Sequence, residues 1–266
     1  MIAAAVQMTS TADVDANLER AEHWIARSVE HGAAFVSLPE SFACMLEEGG
    51  RNPAAQGLDG PVVEFLAQQA RHHQIVLAGG TIPELAEGKE RIYNTALVHG
   101  PDGSLLASYR KIPLFDVELP GLPLQESKSV APGDTPVCVD TAAGRLGLSV
   151  CYDVRFPELY RELTEQGAEI LLVPSAFTVP TGSDHWEVLL RARAIENQAF
   201  VVAAAQYGAH NRKRRSYGRS MIIDPWGLVL ATASDREGLA LASLEPERIR
   251  ETRSRIPALQ HRKLAH

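Results

Sequence analysis

No apolar stretch in these 266 residues approaches the ~18 needed to cross a bilayer as a helix. The opening residues, Met1 to Gln7, lack the basic segment of a secretory signal and run into polar Thr9, Ser10 and Thr11. Cysteine is scarce. Cys44, Cys138 and Cys151 form an odd set with no Cys-x-x-Cys spacing, which argues against both a disulfide scaffold and a dithiol redox pair. The expected setting is a reducing cytoplasm, with no membrane partner. Positive charge is outnumbered, 26 basic residues to 33 acidic, and aromatics are only 6 %. A net charge of −7 argues against a general nucleic-acid binder. The nine histidines are scattered apart from His72-His73, so no metal-ligand cluster is legible and no metal or other cofactor is expected. Repeats and low-complexity tracts are also missing, which leads to the expectation of a single domain over 1–266.

What is present is ordinary for a globular chain: 45 % apolar and 22 % charged residues. At this size roughly three quarters of the unfolded surface can be buried, so no covalent staple is needed. Met1–Met8 reads as a buried strand. Leu18, Ala21, Ile25 and Val29 recur at helical spacing, with Gly32 as the stop. Ala33–Leu38 is a strand, Val62–His72 a helix opened by Pro61, and Ile75–Ala78 a strand broken by Gly79-Gly80. Arg91–His99 and Leu105–Arg110 flank the turn Gly100-Pro101-Asp102-Gly103. From Phe115 to Pro136 the pattern dissolves into a long Pro- and Gly-rich loop, and loops of that length tend to be functional. Strands at Arg145–Val150, Ile170–Val173 and Phe200–Ala205 alternate with helices at Glu158–Gln166 and His185–Asn197. Ser220–Asp224, Leu228–Ala231 and Leu239–Leu244 complete the strands, and a charged helix starts near Glu245. This alternation implies an α/β architecture, and its hairpins exclude a purely parallel sheet.

Three residues invite chemistry. Cys151 follows the apolar run Leu146 to Val150 and precedes a helix opened by Pro157-Glu158. A strand, tight turn and helix start can present a nucleophile beside free backbone N–H groups and lower a thiol's pKa. The competing reading is a buried core cysteine. Glu40 ends the strand in Leu38-Pro39-Glu40, the strand end where α/β folds build sites, or else it is a solvated loop acid. Lys111, in Tyr109-Arg110-Lys111, also ends a strand just before the long loop; most such lysines are surface cations.

Taken together, Leu38-Pro39-Glu40, Tyr109-Arg110-Lys111 and Cys151-Tyr152-Asp153-Val154-Arg155-Phe156-Pro157-Glu158 resemble the Glu-Lys-Cys signature of the nitrilase superfamily of carbon–nitrogen hydrolases. The resemblance covers nearly the whole chain. It implies a four-layer α-β-β-α sandwich and a thiol-dependent amidase. Cys151 would attack the carbonyl and form a thioester. Glu40 would shuttle protons. Lys111 and the Tyr152 N–H would stabilise the oxyanion, and Lys111 would favour both an ionised Glu40 and a Cys151 thiolate. A second carboxylate is matched by Glu126 in Gln125-Glu126-Ser127-Lys128-Ser129, with Glu118 as its rival.

The second half, from Pro174-Ser175-Ala176-Phe177 through Asp224-Pro225-Trp226-Gly227, resembles the Nit branch. That branch implies a 2-oxo acid amide as small-molecule substrate: deaminated glutathione, giving 2-oxoglutarate and cysteinylglycine, or the 2-oxoglutaramate of an ω-amidase. In the family the positions of Arg155, Phe177 and Thr181 line the acyl pocket. Arg155 can grip a carboxylate bidentately, against the reading of a structural ion pair with Asp153 or Glu158. The basic run Arg212-Lys213-Arg214-Arg215 is a solvated loop tip, or it offers a residue, as Arg219 also could, to a second substrate carboxylate. Trp186, Leu189, Leu190 and Ile195 suggest one buried helix face, in a core or in the homodimer or higher oligomer that the family implies. A nitrilase or N-carbamoyl hydrolase needs only a different pocket, and a silent binding protein would be expected to have lost one of Glu40, Lys111 and Cys151.

Overall fold

The computed structural model describes residues 1–46, 52–85, 88, 91–119 and 122–263. The first half comprises β1 (Ile2–Met8), α1 (Val14–Glu30), β2 (Ala33–Ser37), α2 (Pro61–His73), β3 (Val76–Glu84), β4 (Tyr93–His99) and β5 (Leu105–Arg110). A hairpin follows, β6 (Asp116–Leu119) and β7 (Leu122–Gln125). The second half runs β8 (Cys138–Thr141), β9 (Gly144–Leu148), α3 (Pro157–Glu165), β10 (Ile170–Leu172), α4 (Val179–Asn197) and β11 (Phe200–Ala203). It continues through β12 (Ala205–Ala209), β13 (Arg215–Tyr217), β14 (Met221–Ile223), β15 (Val229–Thr232), β16 (Gly238–Ser243) and α5 (Pro246–Arg255).

The helices start where local chemistry sets them. The Asp13 side chain accepts the Ala16 N–H at 3.1 Å and caps α1, while prolines in the first turns of α2 and α3 lack an N–H that would go unpaired there. One sheet runs β13-β12-β1-β2-β3-β4-β5, with β16 also paired to β1; a second runs β15-β14-β11-β10-β9-β8. Strand alternation sorts the side chains. Ala3, Ala5, Val76, Ala78, Ala96 and Val98 face the second sheet, against Leu146, Leu148 and Val201. Their neighbours Ala4, Val6, Met8, Leu77 and Leu97 face α1 and α2 through Ala21, Ile25, Leu66 and Ala70. Helices α3 and α4 cover the far side through Leu163, Trp186 and Leu190. The result is the expected four layers, α-β-β-α. Trp186 is fully buried, and emptying its site to alanine would cost about 3–5 kcal/mol. The sheets are joined covalently as well: only Ala204 separates β11 of one from β12 of the other.

Several sequence expectations are corrected. Gly79-Gly80 does not end a strand. β3 continues to Glu84 with a register shift between Ala78 and Thr81, a bulge that the positive φ of Gly80 (+61°) permits. The loop expected from Phe115 to Pro136 contains the β6–β7 hairpin and a 3-10 turn at Glu126–Lys128; Pro120 and Gly121 lie outside the described residues. β8 and the β12–β13 hairpin go unread in the sequence because they are short and only partly apolar. Helix α4 starts six residues early, at Val179, because Pro180 fits its first turn. Ile195 is half-exposed and does not share the buried face of Trp186 and Leu190.

Candidate active site

Four segments that are distant in sequence converge at one end of the sandwich. Glu40 lies in the turn after β2, which is pinned where Leu38 N–H meets Ala78 O at 2.8 Å and where Gln206 Nε2 donates to the Glu40 carbonyl at 3.0 Å. Gly80 makes room for this turn, since a Cβ there would stand 2.1 Å from the Pro39 carbonyl oxygen. Lys111 follows β5 directly, held by Lys111 N–H to Asn94 O and Gly133 N–H to Lys111 O. Cys151 opens a 3-10 turn after β9 with φ of +49°, a strained, nucleophile-elbow conformation for a side chain with a Cβ. Its N–H donates to Pro174 O at 2.9 Å. Glu126 projects from the turn after β7 and accepts the Phe115 N–H at 2.7 Å.

Lys111 is the hub. Its Nζ lies 2.8 and 3.0 Å from the two Glu126 oxygens and 3.4 Å from Glu40 Oε1. Lys111, Glu40 and Cys151 are all buried, with relative exposures of 2, 4 and 8 %. The Asn94 amide donates to Glu40 Oε1 at 2.8 Å and to Glu126 Oε1 at 3.3 Å, while Ala176 N–H donates to Glu40 Oε2 at 2.8 Å. Glu118, the alternative second carboxylate, is exposed on β6 and has no contact with Lys111.

The electrostatics assign the resting protons. Burial pushes Glu40 up, but the Lys111 ammonium, a hydrogen bond from Cys151, the charge of Arg214 and Asn94 together hold it below its ordinary value. Burial alone would discharge Lys111, yet Glu126 and Glu40 keep it charged by raising its pKa. Cys151 goes the other way from the sequence expectation. Burial and the Glu40 charge outweigh Lys111 and raise its pKa, so it rests as a thiol hydrogen-bonded to a carboxylate. A thiol, an ionised carboxylate and an ammonium in contact can transfer a proton, attack a carbonyl and hold the resulting oxyanion.

Around this floor lie the other expected residues. The Tyr152 N–H, next to Cys151, takes no acceptor among the described residues. The Tyr152 ring stacks edgewise on Phe115 and Phe156. The Arg155 guanidinium lies 5.5 Å from the Phe177 ring centre and 5.9 Å from that of Tyr152, with His185 Nδ1 at 3.2 Å. The ion pair weighed for Arg155 does not form: Asp153 instead accepts Tyr109 O–H and Val150 N–H, and Glu158 is exposed on α3. Thr181 is half-buried in the first turn of α4, its hydroxyl 2.8 Å from that of Thr178. In the basic run Arg212, Lys213 and Arg215 are exposed, whereas Arg214 is half-buried and its charge reaches Glu40. Arg219 is committed to Asp235 at 3.0 Å. Sequence reasoning missed Asn94, Tyr109 and Asp153. An asparagine inside a strand is a weak signal for the first. Asp153 stood within a motif already quoted. Among the described residues no group of three or more histidine, cysteine or acidic side chains is disposed to hold a metal ion.

Residues 2–254 match the carbon-nitrogen hydrolase family. The chain belongs to that family. A carbon–nitrogen hydrolase relative from Synechocystis sp., named deaminated glutathione amidase, is 46 % identical over 98 % of this chain and 97 % of its own length. The crystal structure of the Caenorhabditis elegans NitFhit protein superposes with a TM-score of 0.91 at 42 % identity, covering 98 % of this chain; the chain spans 65 % of NitFhit. Saccharomyces cerevisiae Nit3, a member of branch 10 of the nitrilase superfamily, superposes at 0.89 with 34 % identity, covering 99 % of this chain and 97 % of Nit3. The α-β-β-α layers described above agree with these family folds.

Proposed function

We propose that this carbon–nitrogen hydrolase cleaves the amide of deaminated glutathione, releasing 2-oxoglutarate and cysteinylglycine. The observation that carries the reading is a pair of guanidinium groups, Arg155 and Arg214, that take no ion pair among the described residues beside a Glu40–Lys111–Cys151 floor. The substrate carries a carboxylate at each end, and guanidinium is the side chain suited to bidentate carboxylate recognition. Arg155, stacked over Phe177 and Tyr152, takes the 2-oxo acid end, with Phe177 against the carbon chain and Thr181 as a further donor. Arg214 takes the glycine carboxylate. The name of the Synechocystis relative supports the same substrate.

In the proposed reaction Glu40 accepts the Cys151 Sγ proton as sulfur attacks the amide carbon. The oxyanion forms against Lys111 Nζ and the Tyr152 N–H. Glu40 then passes the proton to the leaving nitrogen, the C–N bond breaks, and cysteinylglycine departs from a Cys151 thioester. Water, deprotonated by Glu40, attacks the thioester; the proton returns to sulfur and 2-oxoglutarate leaves. Glu126 keeps Lys111 charged and aimed. No helix among the described residues is long and apolar enough to cross a membrane. The working unit in this reading is one cytoplasmic hydrolase domain, assembled as a homo-oligomer through exposed apolar residues such as Val188, Ile195 and Leu228.

The deciding experiment compares kcat/KM for deaminated glutathione and 2-oxoglutaramate on one preparation. The expected preference for deaminated glutathione is ~100-fold or more, about 2.7 kcal/mol of transition-state binding. The reverse preference makes the protein an ω-amidase. Sedimentation velocity tests the assembly, and a monomer at micromolar concentration refutes it.

A further inference from the structure

Lys111 leaves the end of β5 in one sheet, and Cys151 follows β9 in the other. No shared element sets their separation. The packing between the sheets is built largely of alanine, valine and leucine, and such contacts are non-directional. Besides the Ala176 N–H bond to Glu40, a directional link crosses directly between the Lys111 strand and the Cys151 turn. Tyr109, two residues before Lys111, donates its hydroxyl to Asp153 Oδ2 at 2.7 Å, and Asp153 lies two residues after Cys151. The same oxygen accepts the Val150 N–H at 2.7 Å, immediately before Cys151. One carboxylate oxygen therefore closes the strained turn around Cys151 and ties it to the strand that delivers Lys111.

The burial makes this link informative. Tyr109 and Asp153 are both 0 % exposed. Asp153 Oδ1 has no hydrogen-bond partner among the described residues. Leaving a buried carboxyl oxygen unpaired is destabilising, and a smaller neutral acceptor could cap the turn alone. Burial raises the Asp153 pKa to about 7 against the opposing pull of Lys111, Tyr109 and Val150 N–H, with Glu40 adding to the rise. An acid retained at such a cost is better explained by geometry than by stability.

We propose that Tyr109 and Asp153 form a positioning pair that sets the distance and angle between the Lys111 ammonium and the Cys151 sulfur. Neither residue touches substrate. Misplacing reacting groups by about 1 Å can cost on the order of 100-fold in rate. The inference rests on the proposed roles of Cys151 and Lys111, so wild type and Cys151→Ala are measured beside the test variants.

The test variant is Tyr109→Phe, which removes one hydroxyl and keeps the ring. Rates are expressed per Cys151 thiol titrated in folded protein. The expected result is a kcat at least ~10-fold lower with KM within about 2-fold of wild type. Asp153→Ala is expected to lose more, and Asp153→Asn, whose amide oxygen can accept both hydrogen bonds, to recover most of that loss. A Tyr109→Phe kcat within about 2-fold of wild type overturns the inference, even if the melting temperature falls, because that pattern is structural support only. A change confined to KM also overturns it. Should Asp153→Ala fail to fold, Tyr109→Phe still decides. A wild type that turns over neither amide, or a Cys151→Ala variant that remains active, refutes the underlying reading instead.

Discussion

The floor of the site and its rim are built on opposite principles. On the floor every charge has a partner: Lys111 has two carboxylates, Glu40 has Lys111, Asn94 and the Ala176 N–H, and Glu126 has Lys111 and the Phe115 N–H. On the rim Arg155 and Arg214 are half-exposed and take no carboxylate among the described residues. A buried charge must be compensated within the fold, so the floor is rigid and complete before substrate arrives. A charge that keeps some water can remain uncommitted until a ligand replaces that water. Chemistry is thus expected to fail when the floor changes, and selection to fail when the rim does.

The sharpest break is Cys151→Ala. Turnover is expected to fall to the blank while circular dichroism and melting temperature stay close to wild type, since the change removes one sulfur atom from a small turn. Residual turnover would sink the thioester route. In the intact enzyme kcat/KM is expected to fall on the acid side as Glu40 takes a proton, with a midpoint below the ordinary carboxylate value. The depressed Glu40 pKa means the ionised form, and the activity with it, persists above that midpoint and is lost as pH drops through it.

Glu126→Gln removes one of the two charges that hold Lys111 up. We expect kcat to drop about 10- to 100-fold with a smaller change in KM, because a weakened oxyanion partner acts mainly in the transition state. Steady-state kinetics at saturating substrate check this, and an unchanged kcat would move Glu126 off the floor. On the rim, Arg155→Lys keeps the charge but loses the planar fork. The expected loss is about 10-fold in kcat/KM for both amides. A variant that loses only stability would return Arg155 to a structural role.

The smallest effect concerns the base of the rim hairpin. His210 bonds Ser10 O and the Ser216 hydroxyl, each at 2.8 Å. Burial, with Arg214 and Arg215 nearby, lowers its pKa from 6.5 to about 4. Between those values the unfolded chain binds the proton and the folded one does not, so stability falls as pH falls through that window. His210→Gln is expected to flatten this part of the melting-temperature profile between pH 6.5 and 4. A slope equal to wild type would show that other groups carry it.

The motif residues differ in how far they could be read. Glu40, Lys111 and Cys151 each sit at a strand end within a short motif, and such local chemistry is legible in one dimension. Glu126 was legible through its motif resemblance as the carboxylate that would hold Lys111, but the β6–β7 hairpin that delivers it was not, because its strands are too short to leave a periodic signal. Gly79-Gly80 looked like a strand break and is a bulge, since only the approach of the Pro39 carbonyl reveals why a side chain is excluded there.

By itself the sequence determined the alternating α/β elements, because hydrophobic period is a property of contiguous residues, and its local motifs carried the resemblance that implied the four-layer class and the residue types of a carbon–nitrogen hydrolase. Only the tertiary structure decided the resting thiol of Cys151, the commitment of Arg219 to Asp235 and the Tyr109–Asp153 link across the sheets. Each depends on burial and on partners more than a dozen residues away, and the charge balance between such groups exists only once the two sheets have met.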